Sequence, residues 1–223
     1  MDKGYIGEVN VSSQLYRMSL IDYKILNDVL IAVDGYTYQI DHVVISRYGI
    51  FVIETKNYSG IIEGKVKDLN WVQIIRNKKN YLFNPVIQNE KHIKALTKLL
   101  NIAEDKVFNI ICMTGTALYR LDNYDNIIPK YGILNHIWTY NKVIIDNVDE
   151  LYYKLLENNI TDSFIRQVHI NNVIYSNEKK KDITKCPLCG NYLLEKKGTY
   201  GLFIGCASYP KCKYTRNIDK EDY

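Results

Sequence analysis

No stretch of this 223-residue chain approaches the roughly 18 to 20 consecutive apolar residues that a membrane-crossing helix requires. The opening residues Met1-Asp2-Lys3-Gly4-Tyr5 also lack the basic-then-apolar layout of a secretory signal. These absences set the expectation of a cytoplasmic protein with no membrane partner. Cysteine is nearly missing from the first 185 residues, where Cys112 stands alone inside the apolar run 107–113 and reads as a core residue. Imbalance of charge is missing there too. Residues 1–176 carry 19 basic and 19 acidic side chains, so their composition marks no surface that would steer a charged partner.

The tail differs in both respects. Residues 177–223 carry 10 basic and 6 acidic side chains and account for the whole formal charge of +4. Four of the five cysteines fall in the last 38 residues as Cys186-x2-Cys189-x16-Cys206-x5-Cys212. In a reducing compartment such a cluster is better explained by one tetrahedral Zn²⁺ than by two disulfides, with redox pairing as the alternative. Cys186-Pro187-Leu188-Cys189-Gly190 has the form of a knuckle that aims two sulfurs at one metal, and Gly190 allows a backbone that a Cβ would strain. Residues 192–196 and 200–204 read as strands around Gly198, making a small zinc ribbon. A module of about 40 residues has too little core of its own, so the metal must carry much of its folding free energy.

Within 179–216 the count is 9 basic against 2 acidic, tempered by the charge of about −2 on a Zn²⁺ held by four thiolates. A basic stretch interleaved with aromatics points to nucleic acid. Tyr200, Phe203, Tyr209 and Tyr214 offer faces on which bases can stack, while Lys196, Lys197, Lys211, Lys213 and Arg216 can pair with phosphates. The alternatives are a solvated face for the lysines and the ribbon's own core for the aromatics, Phe203 being the one most expected to point inward.

The longer part reads as α/β. Residues 5–20 carry apolar positions at helical spacing, and 23–33, 38–46 and 49–55 read as three strands of an antiparallel meander. Further short strands are expected at 60–64 and within 71–83, with 76–80 as the turn. Asn84-Pro85 supplies an N-cap and a first-turn proline for a helix bearing Val86, Ile93, Leu96 and Leu100. Strands follow at 107–113 and 142–145, and helices near 148–156 and 162–175. Residues 118–137 give no clear pattern. The organisation is thus a domain over 1–175, a polar linker over 176–184 and the cysteine module over 185–217.

Alternation places Ile50, Val52, Glu54 and Lys56 on one face of their strand. Two charges therefore end an apolar face, which is costly unless they meet a partner or a metal. Asp41 lies in the preceding strand, brought alongside by the turn near Gly49. Two carboxylates can hold Mg²⁺ or Mn²⁺ through oxygen, and an ammonium beside them can orient an attacking water, the equipment for phosphodiester hydrolysis. An interstrand salt bridge is the plainer reading.

The residues Lys3-Gly4-Tyr5-Ile6-Gly7-Glu8, Gln39-Ile40-Asp41-His42-Val43-Val44-Ile45-Ser46, Gly49-Ile50-Phe51-Val52-Ile53-Glu54-Thr55-Lys56-Asn57 and Asn84-Pro85-Val86-Ile87-Gln88-Asn89, with Gly60, Trp71 and His92, resemble the nuclease-related domain family over about 3–113. That resemblance implies the PD-(D/E)xK superfamily, a restriction-endonuclease-like mixed sheet flanked by helices and a Mg²⁺-dependent site. Asp41 and Glu54 then become metal ligands and Lys56 the motif lysine. Glu8 becomes the acidic residue of the first helix and Gln88 a polar residue of the helix behind the sheet. Ile40 stands where the superfamily name has proline. His42 and His92 are read as structural.

Cys186-Pro187-x-Cys189-Gly190, Lys197-Gly198, Gly201-x-Phe203-x-Gly205-Cys206 and Tyr209-Pro210-x-Cys212 resemble the C-terminal zinc finger of bacterial type IA DNA topoisomerases, which implies DNA binding, commonly single-stranded. With the finger assigned, too few residues remain for a strand-passage body. The expected function is a metal-dependent nuclease with a zinc ribbon that binds single-stranded or branched DNA, RNA being the other possible substrate. The alternative is a non-catalytic DNA-binding or repair accessory protein.

Overall fold

The computed structural model describes residues 3–19, 21–122, 125–183, 185–186, 188–198 and 201–216. The chain forms two compact units, Met1–Thr161 and Asp162–Tyr223.

The first unit is a mixed α/β fold. Its main sheet has the strand order β1-β2-β3-β7-β9 (Tyr23–Val33, Tyr36–Ser46, Gly49–Lys56, Val107–Met113 and Ile127–Pro129). β1, β2 and β3 form the expected antiparallel meander, while β3, β7 and β9 run parallel. Asp34 and Gly35 close the β1–β2 hairpin at φ 52° and 80°, the two left-handed positions that a tight hairpin turn demands. β3 is the sheet's central strand and is buried from Gly49 to Thr55, which explains its continuous apolar run.

Helices cover both faces. α2 (Pro85–Leu100) and α4 (Val148–Asn158) enclose a core with Val43, Ile45, Ile50 and Val52. On the other face α1 (Lys3–Leu15) and α3 (Ile133–Trp138) pack with Val44, Phe51, Ile53 and Cys112. A second sheet of order β6-β5-β4-β8 (Lys78–Phe83, Asn70–Ile75, Ile61–Gly64 and Leu118–Leu121) takes three strands from the long crossover between β3 and β7 and one from beyond β7, and buries Trp71.

The first unit departs from the sequence expectations in four places. α1 ends at Leu15, earlier than the apolar spacing suggests. The β5–β6 turn is only Arg76-Asn77, because Lys78, Lys79 and Asn80 pair with Ile75, Ile74 and Gln73 respectively. Residues 142–145 form no strand: the Ile144 and Ile145 N–H groups both donate to Arg47 O (2.9 and 3.1 Å), and Ile145 plugs the core. The unassigned stretch 118–137 contains β8, β9 and the start of α3, too short for periodicity to reveal.

The second unit contains α5 (Ser163–Ile183) and a three-stranded antiparallel ribbon, β10-β11-β12 (Leu193–Gly198, Gly201–Cys206 and Thr215–Arg216). The backbone of α5 stays helical to Ile183, across residues read as a linker from their polarity alone. Among the described residues, no helix is long and apolar enough to cross a membrane.

Candidate active site and zinc centre

Glu54 and Lys56 extend from β3 onto the face covered by α2, in line with Ile50 and Val52. α2 is placed by a dense set of asparagine contacts. Asn84 accepts the Val86 N–H (2.9 Å) as N-cap and donates to Val66 O (2.8 Å) and Asp68 O (2.7 Å). Asn89 Nδ2 donates to Val52 O and to Asn109 Oδ1, both at 2.8 Å, and Asn109 returns a bond to Val86 O (3.1 Å). This lattice ties the helix to β3 and β7 at a fixed height.

At that height Gln88 meets both charged residues. Lys56 Nζ donates to Glu54 Oε1 (2.5 Å) and to Gln88 Oε1 (3.1 Å), while Gln88 Nε2 donates to the same Glu54 oxygen (2.8 Å). The other oxygen, Glu54 Oε2, is buried without a hydrogen bond and faces His92 Nδ1 at 3.5 Å. Burial pushes the Lys56 ammonium down, but Glu54, Tyr58 and Asp41 together overcome this and hold it above its ordinary value. Lys56 is therefore charged at neutral pH.

Asp41 enters from β2. Its Oδ2 accepts the Thr55 N–H at 2.7 Å. The β2–β3 ladder stops at His42↔Ile53, whereas β3 continues to pair with β7 as far as Lys56↔Met113. The carboxylate thus replaces a ladder acceptor where the two strands part. On its other side Asp28 takes a left-handed φ of 52°, between the paired positions Asn27↔His42 and Val29↔Ile40. Burial raises Asp41 well above the usual carboxylate range, and Glu54 and Glu8 add to the rise; the Thr55 N–H and Lys56 oppose it.

Glu8 gains electrostatic reach to Asp41 through its neighbour Gly7. A Cβ at Gly7 would lie 2.6 Å from Thr114 Oγ1 and 3.2 Å from Thr55 Cγ2, so only glycine lets α1 approach β3 this closely. Asn57 Nδ2 pins the start of α1 by donating to Lys3 O (2.7 Å). His42 stands apart from this chemistry. It is buried, its Nδ1 lies 2.7 Å from Asn27 Oδ1, and burial lowers it to about 4, with Asp28 opposing. Burial likewise pushes the Cys112 thiol up to about 12.

In the second unit the sulfurs of Cys186, Cys189, Cys206 and Cys212 all lie within 4.8 Å of one another. The Cys186–Cys212 and Cys189–Cys206 separations are 3.5 and 3.4 Å, close to the ~3.8 Å edge of a tetrahedron with Zn–S of about 2.3 Å. The donor set is all thiolate and closed, as a structural zinc requires. Gly190, at φ 70°, closes the knuckle by donating to Cys186 O (2.8 Å).

The ribbon's small core is Leu193, Ile204 and the cysteines, with Tyr214 packed against it. Phe203 is half-buried rather than inward, because strand alternation gives the inward positions to Ile204 and Cys206. Tyr209 is 65% exposed, and Lys196 Nζ lies 5.2 Å from its ring centre while donating to Cys206 O (3.0 Å). Lys211 and Lys213 are exposed and Arg216 is half-buried. Tyr200 and the Lys197 side chain lie outside the described residues.

Residues 3–114 match the nuclease-related domain family, and an uncharacterized protein of Bacillus anthracis is 33% identical over 174 residues, covering 75% of this chain and 82% of that protein. The chain belongs to the nuclease-related domain family.

Residues 183–221, following the nuclease-related domain, match the topoisomerase DNA binding C4 zinc finger. DNA topoisomerase 1 of Methanocaldococcus jannaschii is 53% identical over 45 residues, 20% of this chain but only 6% of the topoisomerase. The corresponding match in Methanothermobacter thermautotrophicus is 42% identical over 43 residues, again 6% of that protein. The chain thus spans a small part of the topoisomerases it resembles. No solved structure matches. The cysteine cluster and the finger match together support a structural Zn²⁺.

Within the nuclease-related domain, the structure brings Asp41, Glu54, Lys56 and Gln88 together, with Glu8 in electrostatic range. Residue-by-residue reading missed Gly7, Thr55, Asn89 and Asn109. Gly7, Thr55 and Asn89 stood inside the quoted motifs, and a polar residue on the apolar stripe of α2 was the available signal for Asn89.

Proposed function

We propose that this protein is a divalent-metal-dependent nuclease that hydrolyses phosphodiester bonds in DNA, with its zinc ribbon holding the substrate. The observation that carries the reading is the buried Glu54–Lys56–Gln88 cluster facing Asp41 at the point where β2 and β3 part. A salt bridge between Lys56 and Glu54 leaves a second carboxylate, Asp41, beside the same ammonium. The raised Asp41 and the unbonded Glu54 Oε2 are the expected signs of a site completed by a cation.

Asp41 and Glu54 would hold Mg²⁺ or Mn²⁺, with Glu8 as a further acidic contributor. When bound, such an ion polarises a phosphate oxygen and lowers the pKa of its water. Lys56, kept charged by its neighbours, is equipped to orient the attacking water and to stabilise charge developing on the phosphorus oxygens. Gln88 holds Lys56 and Glu54 in register, so neither has to reorganise during reaction. In the ribbon, Tyr209 and Phe203 offer stacking faces, and Lys196, Lys197, Lys211, Lys213 and Arg216 offer phosphate contacts; Tyr200 keeps the stacking role its sequence position suggests. Binding through the ribbon raises the effective concentration of DNA at the nuclease site.

The 2.5 Å Lys56–Glu54 ion pair also favours a second reading, a non-catalytic DNA-binding accessory protein in which the pair is structural. The deciding experiment is cleavage of labelled single-stranded, duplex and forked DNA, and RNA of matched sequence, by zinc-loaded protein with Mg²⁺ or Mn²⁺. Lys56→Ala should retain binding and lose about 10²–10³-fold in cutting rate. Metal-independent cutting, or equal cutting by both proteins, defeats the proposal; binding without any cutting supports the accessory reading.

A further inference from the structure

The first unit is neutral by composition, yet one of its elements is strongly one-sided. Between residues 69 and 89 there is no acidic residue, and Arg76, Lys78 and Lys79 fall together at the tip of the β5–β6 hairpin. All three are exposed, and among the described residues none forms an ion pair. Lysines on β6 have a structural use, since β6 is the edge of its sheet and charge discourages edge-to-edge pairing. That use does not account for the turn. Arg76 and Asn77 sit at φ 47° and 64°, consecutive left-handed positions where Asn-Gly or Asp-Gly is the favourable choice. The domain's other hairpin with two left-handed turn residues, β1–β2, uses Asp34-Gly35. Here the chain accepts a disfavoured backbone to place a guanidinium at the tip.

The hairpin is also tied to the nuclease site. Gln73 Nε2 donates to Ser59 O (2.9 Å), and a Cβ on Gly60 would lie 2.3 Å from Ile74 O, so β5 lies against the segment that leaves Lys56. Ser59 is three residues beyond Lys56, and Arg76 three beyond Gln73. At no more than ~3.6 Å per residue, the tip lies within about 30 Å of Lys56, less than one duplex turn of ~34 Å.

Resting on the nuclease reading above, we propose that the β5–β6 hairpin is a second DNA-contacting element, in which Arg76, Lys78 and Lys79 bind backbone phosphates flanking the one presented to Lys56. The contacts are to backbone only, so they hold DNA without reading its sequence.

The test is the salt dependence of binding to a labelled 30-base-pair duplex, measured on the zinc-loaded full chain without divalent metal. The variant is Arg76→Asn/Lys78→Gln/Lys79→Gln, in which Asn suits the left-handed backbone; Lys94→Gln/Lys142→Gln removes exposed charge elsewhere as a control. At about 0.9 per phosphate contact, the slope of log K against log salt should fall by about 2 to 3 in the hairpin variant and stay unchanged in the control. An unchanged slope in the hairpin variant, or an equal fall per charge in the control, overturns the proposal. Parallel cleavage assays separate the two ideas: a reduced slope in a protein that never cuts keeps the hairpin as a binding surface and removes the nuclease reading. A wild-type protein that does not bind the duplex overturns the hairpin proposal as well.

Discussion

Asp41 Oδ2 accepts the Thr55 N–H at 2.7 Å, so one carboxylate both takes the place of a ladder acceptor and stands where β2 and β3 part. The two roles can be separated. Asp41→Asn keeps an oxygen acceptor for Thr55 but loses the charge a metal needs; Asp41→Ala loses both. Both variants should lose metal-dependent cleavage, while only Asp41→Ala leaves a backbone N–H unsatisfied, at about 1–3 kcal/mol. Denaturant titration of the pair, in the presence of divalent metal, checks the difference.

The raised Asp41 also predicts a pH dependence. Its folded pKa lies above the ordinary value near 4, so the folded protein holds this proton more tightly than the unfolded chain does. The contribution to stability is present at low pH and lost as pH rises through the raised pKa. Metal-free protein should therefore lose stability relative to Asp41→Asn as pH rises above about 4, and Mg²⁺ should restore it. Parallel melts across that range, with and without Mg²⁺, read out the sign.

Gln88 bonds to both Glu54 and Lys56, so Gln88→Ala should leave metal binding possible but loosely organised. Loss of such a supporting partner typically costs about 10–100-fold in activity or metal affinity. A cleavage rate within twofold of wild type excludes the positioning role.

Gly7→Ala sets two effects against each other. Replacing a helical glycine normally gains up to about 1 kcal/mol, but the new Cβ would meet Thr114 Oγ1 at 2.6 Å and the β3 residue Thr55 at 3.2 Å. Overpacking of about 1–3 kcal/mol should win, lowering stability and displacing Glu8 from Asp41. A stabilised, fully active variant would falsify this account of how α1 sits.

Removing zinc should act on one unit alone. The ribbon has a core of only Leu193, Ile204 and its cysteines, so chelation should unfold residues 186–216 and leave the melting of the first unit unchanged. Elemental analysis should return one zinc per chain, and Cys189→Ser should abolish it. Hydrogen exchange, resolved along the chain, distinguishes local from global loss.

Much of this site was legible before any coordinates. Strand alternation put Glu54 and Lys56 on one face because a β-strand leaves no other choice, and the asparagine–proline pair at 84–85 marked the start of α2 because its cap chemistry is local. The cysteine spacing pointed to a single metal for the same reason. Local rules failed where an element is too short for periodicity, as in β8 and β9, or where polarity imitates a linker, as at the end of α5. Phe203 was the aromatic most expected to point inward, yet strand phase gave that place to Ile204.

The sequence by itself determined the longer strands and helices, which residues carry charge on apolar faces, and that the last four cysteines group at one site. All of these depend on neighbours along the chain. Only the tertiary structure decided that Gln88 joins Glu54 to Lys56, that Asp41 replaces a ladder acceptor, and that Gly7 admits α1 beside β3. Those facts depend on strand register and on the height at which a helix sits over a sheet, set by contacts such as Asn89 with Val52 across 37 residues of chain.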